Sequence, residues 1–209
     1  THHASISQNL YFEMCSFTED ERYFVFLAQR YGGRRSPWDV LRATPDGLEL
    51  TQLTDADNIG GIVCSPANNA VFYLHDNTLR KVNIETTRDE EVALAPGIGP
   101  MNSPSLASID AAGRFYFGSA KLANGKCVMY RADVEKGETE VLTEAIGIVH
   151  VHADPTGSQV YFNEQTQDGW RCRIIGADGS NKRPYPFQFA HHTWIGSYGL
   201  MQGALLPPG

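Results

Sequence analysis

The sequence predicts an all-β chain built as a β-propeller, and three observations carry that prediction. The first is a repeat. Four apolar strands follow turn-forming clusters, and their anchor residues Phe26, Tyr73, Phe117 and Phe162 stand 47, 44 and 45 residues apart. The second is the shared content of each repeat, which runs through further strands to an Asp-, Gly-, Glu- or Thr-rich turn. The third is the near absence of helical periodicity, with short strands and turns every 8 to 12 residues. A period in the forties with four strands per unit is the signature of propeller blades. A sandwich or a β-solenoid leaves four similar units of this length unexplained.

Taken in order, the second strand of each unit is Tyr23 to Phe26, Val71 to Tyr73, Phe115 to Phe117 and Val160 to Phe162. Each follows a turn of the right chemistry: Thr18-Glu19-Asp20-Glu21, Ser65-Pro66-Ala67-Asn68-Asn69, Asp110-Ala111-Ala112-Gly113 and Asp154-Pro155-Thr156-Gly157. Proline pre-sets φ in such turns and glycine supplies positive φ. Third strands are expected over 39–42, 79–84, 127–134 and 171–175, and outer strands over 50–53, 91–94 and 139–142. A fifth unit is expected to start across Trp194 to Met201.

About four and a half blades are therefore present. A closed seven-bladed ring needs about 315 residues at about 45 per blade, and closure is what removes sheet edges. The expectation is a single propeller domain over residues 1–209, incomplete at its C-terminal end and part of a longer protein. A complete four- or five-bladed ring is the alternative.

Composition narrows the function classes. The chain is 42% hydrophobic and 20% charged, with a net charge of -7, which suits a globular core. No basic stripe is present, which argues against nucleic acid. No run of 18 apolar residues exists to span a membrane, and no signal segment opens the chain. Cys15, Cys64, Cys127 and Cys172 lie far apart without a Cys-x-x-Cys pair. They read as mostly buried thiols in a reducing cytoplasm rather than as a zinc knuckle or a disulfide framework. The opening His2-His3 and Asn9 to Phe12 faintly match an affinity tag and protease site, but read as native sequence.

Histidines are the best chemical lead. His150 and His152 are two apart, so a regular strand turns both to one face. That strand is expected to be the innermost of its blade, lining the channel where a substrate sits. The plain alternative is a structural histidine with a backbone partner, and a third reading makes the pair metal ligands. His75 reads as a loop residue. Arg30, Arg34 and Arg35 flank Gly32-Gly33 in a long loop, and Arg171 with Arg173 shares one strand face. Any of these guanidiniums suits bidentate pairing with a carboxylate. Trp38, Tyr31 and Trp170 offer sugar-stacking faces or ordinary packing.

Several of these segments resemble the oligogalacturonate lyases, β-propeller enzymes of pectin degradation. Ser7 to Phe12 with Phe17 to Asp20 resembles the family's first blade. Ile148-Val149-His150 before Asp154-Pro155-Thr156 resembles its catalytic-histidine blade. Ala177 to Asn181 resembles its Asp-Gly-Ser/Thr-Asn turn, and His191-His192-Thr193-Trp194 its His-x-x-Trp. The resemblance implies a cytoplasmic lyase acting on short oligogalacturonides by β-elimination with a divalent metal, Mn²⁺. It assigns His150 as the base and His191 as a metal ligand; for the carboxylate of such a substrate, the candidates are Arg34, Arg35, Arg171 and Arg173. Gln188 and Gln202 are further oxygen donors near His191.

The sequence departs from the family in three places. Asn163-Glu164-Gln165 stands where Cys-His-Glu is expected, and Val128 where an arginine is expected beside Cys127. The family's later His-x-His pair falls beyond Gly209. The competing class is a non-catalytic binding propeller of the TolB or WD40 kind. A serine-peptidase propeller is a third, but no Gly-x-Ser-x-Gly is present.

Overall fold

The computed structural model describes residues 7–10, 15–30, 37–97, 107–195 and 200–205. They form four four-stranded antiparallel sheets and one two-stranded sheet, each in chain order. Blade 1 holds β1 (Ser7–Asn9), β2 (Phe24–Gln29), β3 (Trp38–Ala43) and β4 (Leu50–Gln52). Blade 2 holds β5 (Ile59–Ser65), β6 (Ala70–His75), β7 (Thr78–Asn83) and β8 (Asp89–Leu94). Blade 3 holds β9 (Ser108–Ile109), β10 (Phe115–Lys121), β11 (Cys127–Asp133) and β12 (Glu138–Ala145). Blade 4 holds β13 (Gly147–Ala153), β14 (Gln159–Thr166), β15 (Gly169–Gly176) and β16 (Arg183–Pro184). β17 (Phe189–Ile195) pairs with β18 (Leu200–Leu205). The architecture is the expected β-propeller.

The paired aromatics on the second strands of blades 2, 3 and 4 explain why blades stack. Successive side chains on a strand point to opposite faces. Tyr73 therefore packs with Val25, Leu27 and Val40 toward blade 1, while its neighbour Phe72 packs with Tyr116 and Tyr130 toward blade 3. In blade 3, Phe117 turns the other way and joins Val160 and Phe162 of blade 4. Tyr161 then faces Cys172 and Phe189. Each of these second-strand aromatics is at most 1% exposed, so each contributes about 1.5–3 kcal/mol of burial free energy.

A polar clip recurs between blades. Arg42 on β3 donates through Nη1 to the Glu85 carbonyl of blade 2 at 2.8 Å. Arg131 on β11 donates to the Ala177 carbonyl of blade 4 at 3.0 Å. Each guanidinium lies over the aromatic ring at the head of its own blade's second strand, Tyr23 at 4.4 Å and Phe115 at 4.9 Å. The predicted turns are closed by their own carboxylates. Asp110 Oδ1 accepts from the backbone N–H of Arg114 and Phe115 at 2.7 and 2.8 Å, and Asp154 Oδ1 from Ser158 N at 2.8 Å.

The structure corrects two expectations. The fifth unit begins at Phe189, so Trp194 to Met201 spans the end of β17 and the start of β18 rather than a first strand. Blade 4 also has an outer strand, the two-residue β16. Its Pro184 removes a ladder donor, which suits an edge and hides the strand from a reading based on apolar runs. No helix among the described residues is long and apolar enough to cross a membrane.

Candidate functional site

The inner strands of blades 2 and 4 share a backbone irregularity that the amino-acid pattern does not announce. In β5, Gly60 lies opposite Leu74 but Val63 lies opposite Phe72, so Gly61 and Ile62 together oppose Tyr73. In β13, Val149 lies opposite Asn163 but His152 lies opposite Tyr161, so His150 and Val151 together oppose Phe162. Both are β-bulges with one extra residue. In each, the second residue is buried in the cluster of the aromatic it opposes, Ile62 with Tyr73 and Val151 with Phe162. The first residue is left-handed: Gly61 has φ +56° and His150 has φ +52°.

That places a histidine where the sister blade has glycine. A side chain in the left-handed region costs about 1–2 kcal/mol, which glycine escapes. Backbone strain of this kind gathers at functional sites, where it is part of the working geometry. The bulge also overturns the expectation that alternation sets His150 and His152 on one face. The regular period of two is interrupted between them, and the register puts His152 across from Tyr161 instead.

His152 is 6% exposed. It lines a cavity of about 350 Å³ with Cys15, Cys64, Asp110, Asp154 and Trp194. The turns after β5, β9 and β13 converge there. Trp194 Nε1 donates to the His152 carbonyl at 3.4 Å. The tryptophan of the His-x-x-Trp segment thus ties β17 to the strand that carries His150. His191 lies on β17 with its backbone opposite Ala204; its side chain is outside the described residues, as is that of Gln202.

The arginines divide. Arg34 and Arg35 lie outside the described residues. Arg30 is taken by carboxylates: Nε and Nη2 donate to Asp39 at 2.9 and 2.8 Å, and Asp55 and Asp57 stand 3.0 and 3.4 Å away. Arg173 donates through Nε to Glu164 Oε2 at 2.7 Å, and Lys182 Nζ meets the other oxygen of the same carboxylate. Burial would raise Glu164, but hydrogen bonds from Lys182 and then Arg173 overcome it and hold the carboxyl below its usual range. Arg173 is therefore bound into an internal ion pair. Arg171 is exposed and donates to its neighbour's carbonyl, Trp170 O, at 3.0 Å. Both lie on β15, two strands out from β13, a separation of about 10 Å.

Other sequence candidates have structural partners. Gln188 Oε1 accepts from Cys172 N at 3.1 Å. Trp38 packs against the core between blades 1 and 2. His75 is not a loop residue: it ends β6 beside Asp76 and pairs with Thr78 across the β6–β7 hairpin. Trp170 is exposed, with its indole edge close over Gly147. Among the described residues, no three or more His, Cys, Asp or Glu side chains come together to hold a metal.

Sequence reasoning reached His150 and Trp194 but missed the bulge, the cavity and the Glu164 ion pair. One signal was available. Ile59-Gly60-Gly61-Ile62-Val63-Cys64-Ser65-Pro66 aligns without gaps on Ile148-Val149-His150-Val151-His152-Ala153-Asp154-Pro155, which sets Gly61 against His150.

No family profile and no curated protein matches the chain. Solved structures do match in fold. An oligogalacturonate lyase in complex with manganese superposes with a TM-score of 0.74 at 20% identity, over 92% of this chain and 58% of that one. The oligogalacturonate lyase of Vibrio parahaemolyticus gives 0.71 at 20% identity, over 88% and 54%. TolB from Acinetobacter baumannii gives 0.63 at 12% identity, over 79% and 41%. At these identities the likeness is one of fold. The chain spans a little over half the length of the lyases it matches.

Proposed function

We propose that this chain is the His150-bearing part of a lyase that cleaves short 4-linked uronides by β-elimination, with His150 as the base. The observation that carries the proposal is the histidine held left-handed in the inner-strand bulge where blade 2 has Gly61. Of the described side chains held at positive φ, His150 is the one that stands in an inner-strand bulge, where the sister blade relieves the strain with glycine. The likeness in fold to oligogalacturonate lyases, one of them a manganese complex, supports the reading.

In this reading the imidazole takes the C5 proton, which lies α to the uronate carboxylate. The released electron pair forms the C4–C5 double bond, and the C4–O bond breaks as the leaving oxygen takes a proton. Histidine titrates near neutrality as a class, which suits such a transfer. Arg171, the exposed guanidinium of the β15 pair, is the better candidate for a substrate carboxylate, since Arg173 is held by Glu164. A divalent cation is proposed on the strength of the resemblance, with His191 as a ligand. Such an ion neutralises the uronate carboxylate. The described residues supply no complete ligand set.

The test is the rise in ultraviolet absorbance from unsaturated uronate when the protein meets digalacturonate with added Mn²⁺. His150→Ala is expected to lose about 10²–10⁴ of the rate while keeping its fold. Turnover equal to the parent removes His150 as the base. A parent protein that binds digalacturonate without turning it over is a binding propeller instead.

A further inference from the structure

We infer that Cys15 and Cys64 form a redox pair, a disulfide that a hydroperoxide closes and a thiol reopens, fastening the segment before β2 onto the inner strand of blade 2. Both sulfurs address one atom. Cys15 Sγ lies 3.3 Å and Cys64 Sγ 3.9 Å from the Phe17 carbonyl oxygen, so the two sulfurs are at most about 7 Å apart. Both line the cavity that His152 and Trp194 share.

The two thiols differ in the way a redox pair requires. Cys15 is exposed and lies outside the strands, so its side chain can turn in solvent. Cys64 is 2% exposed and fixed in β5. Its thiol is pushed up to about 12 by burial, and the neighbouring Cys15 adds to the effect. Attack on an oxidant therefore falls to Cys15, because the thiolate is the reactive form and access governs its rate. Cys127 and Cys172 are buried in β11 and β15, and Cys172 is engaged with Asn163 and Phe189.

The chemistry balances with one equivalent of hydroperoxide. The Cys15 thiolate attacks the peroxide, the O–O bond breaks, and Cys15 becomes a sulfenic acid as water or an alcohol leaves. The Cys64 sulfur then attacks the Cys15 sulfur, the S–O bond breaks, and the oxygen departs as water with the thiol proton. Two thiols lose two electrons and the peroxide gains them. The sulfurs must approach to about 2.05 Å. Cys15 supplies that motion, and the bond closes the side of the cavity formed by the turn after β5.

The experiment treats the 209-residue chain with one to two equivalents of hydrogen peroxide and maps it without reduction. The expected result is an intact mass lower by about 2 Da, a Cys15–Cys64 crosslinked peptide, and full reversal by dithiothreitol. Cys15→Ser is expected to leave all remaining thiols unoxidised at this dose. Cys64→Ser is expected to leave Cys15 as an oxygen adduct about 16 or 32 Da heavier. Cys64→Ala serves the same purpose should the serine disturb the core, with circular dichroism confirming the fold. Oxidation of Cys15 to sulfinic acid in the parent without a crosslink overturns the inference. So does a crosslink to Cys127 or Cys172, or one between two chains.

Discussion

Replacing His150 by glycine and by alanine separates two properties that ordinary mutagenesis confounds. Both variants lose the imidazole and every contact it makes. They differ in one respect: alanine keeps a Cβ at φ +52° and glycine does not. The left-handed conformation costs a residue with a Cβ about 1–2 kcal/mol. Glycine gives back about 0.4–1 kcal/mol through the greater freedom of its unfolded chain. The net expectation is that His150→Gly is more stable than His150→Ala by about 0.5–1 kcal/mol, the reverse of the usual order inside a strand. In a chain of this size that is a rise in Tm of about 2 °C, and urea denaturation resolves it as a higher midpoint at unchanged slope. Turnover of digalacturonate is expected to be lost to the same extent in both, by about 10²–10⁴. If His150→Gly is no more stable than His150→Ala, the backbone at this bulge is not strained and the argument for a selected histidine fails. If the glycine variant turns over normally, the imidazole is not the base.

Gly61→Ala, at the equivalent place in blade 2, is expected to destabilise by about 2–4 kcal/mol, since it adds left-handed strain and drives a Cβ into the Tyr116 hydroxyl that donates to the Gly61 carbonyl at 2.7 Å. A urea midpoint within error of the parent contradicts that account. Glu164 is held below its usual range by Lys182 and Arg173. Its folded-state pKa is depressed, so the stability it brings is present above about pH 4.3, the unfolded value, and is lost as pH falls through the lower folded value. The parent is therefore expected to lose stability between pH 5 and its acid transition, and Glu164→Gln to lose less over that window while starting lower at pH 7; parallel curves contradict it. His191→Ala is expected to weaken Mn²⁺ binding at least tenfold, since even outer partners of metal ligands cost about 10–100-fold. An unchanged calorimetric titration removes His191 from the ligand set.

The site was only partly legible beforehand. His150 stood out as a histidine on an inner strand, but alternation misassigned its relation to His152, because periodicity assumes a regular strand and a bulge adds a residue without changing the apolar pattern. The carboxylate–guanidinium reading of Arg173 met the opposite problem. Glu164 is 9 residues from Arg173 and 18 from Lys182, and only the pairing of β14 with β15 and the return of the chain before β16 bring these charges together. Arg171 and Arg173 look alike in sequence; Glu164 lies directly across from Arg171 in the register, yet its carboxylate pairs diagonally with Arg173, while Arg171 turns to the Trp170 carbonyl.

By itself the sequence determined the propeller. Strand alternation, turn-forming Pro, Gly and Asp, and a repeat near 45 residues are all local features that act over a few residues, and each repeat had to make the same blade. What the tertiary structure decided was register and neighbourhood: that His150 is the left-handed residue of a bulge, that Arg173 is held by a buried carboxylate, and that Cys15 and Cys64 share one carbonyl. These depend on contacts between residues far apart in the chain, whose meeting is fixed by how strands pair and blades pack, so no local pattern encodes them.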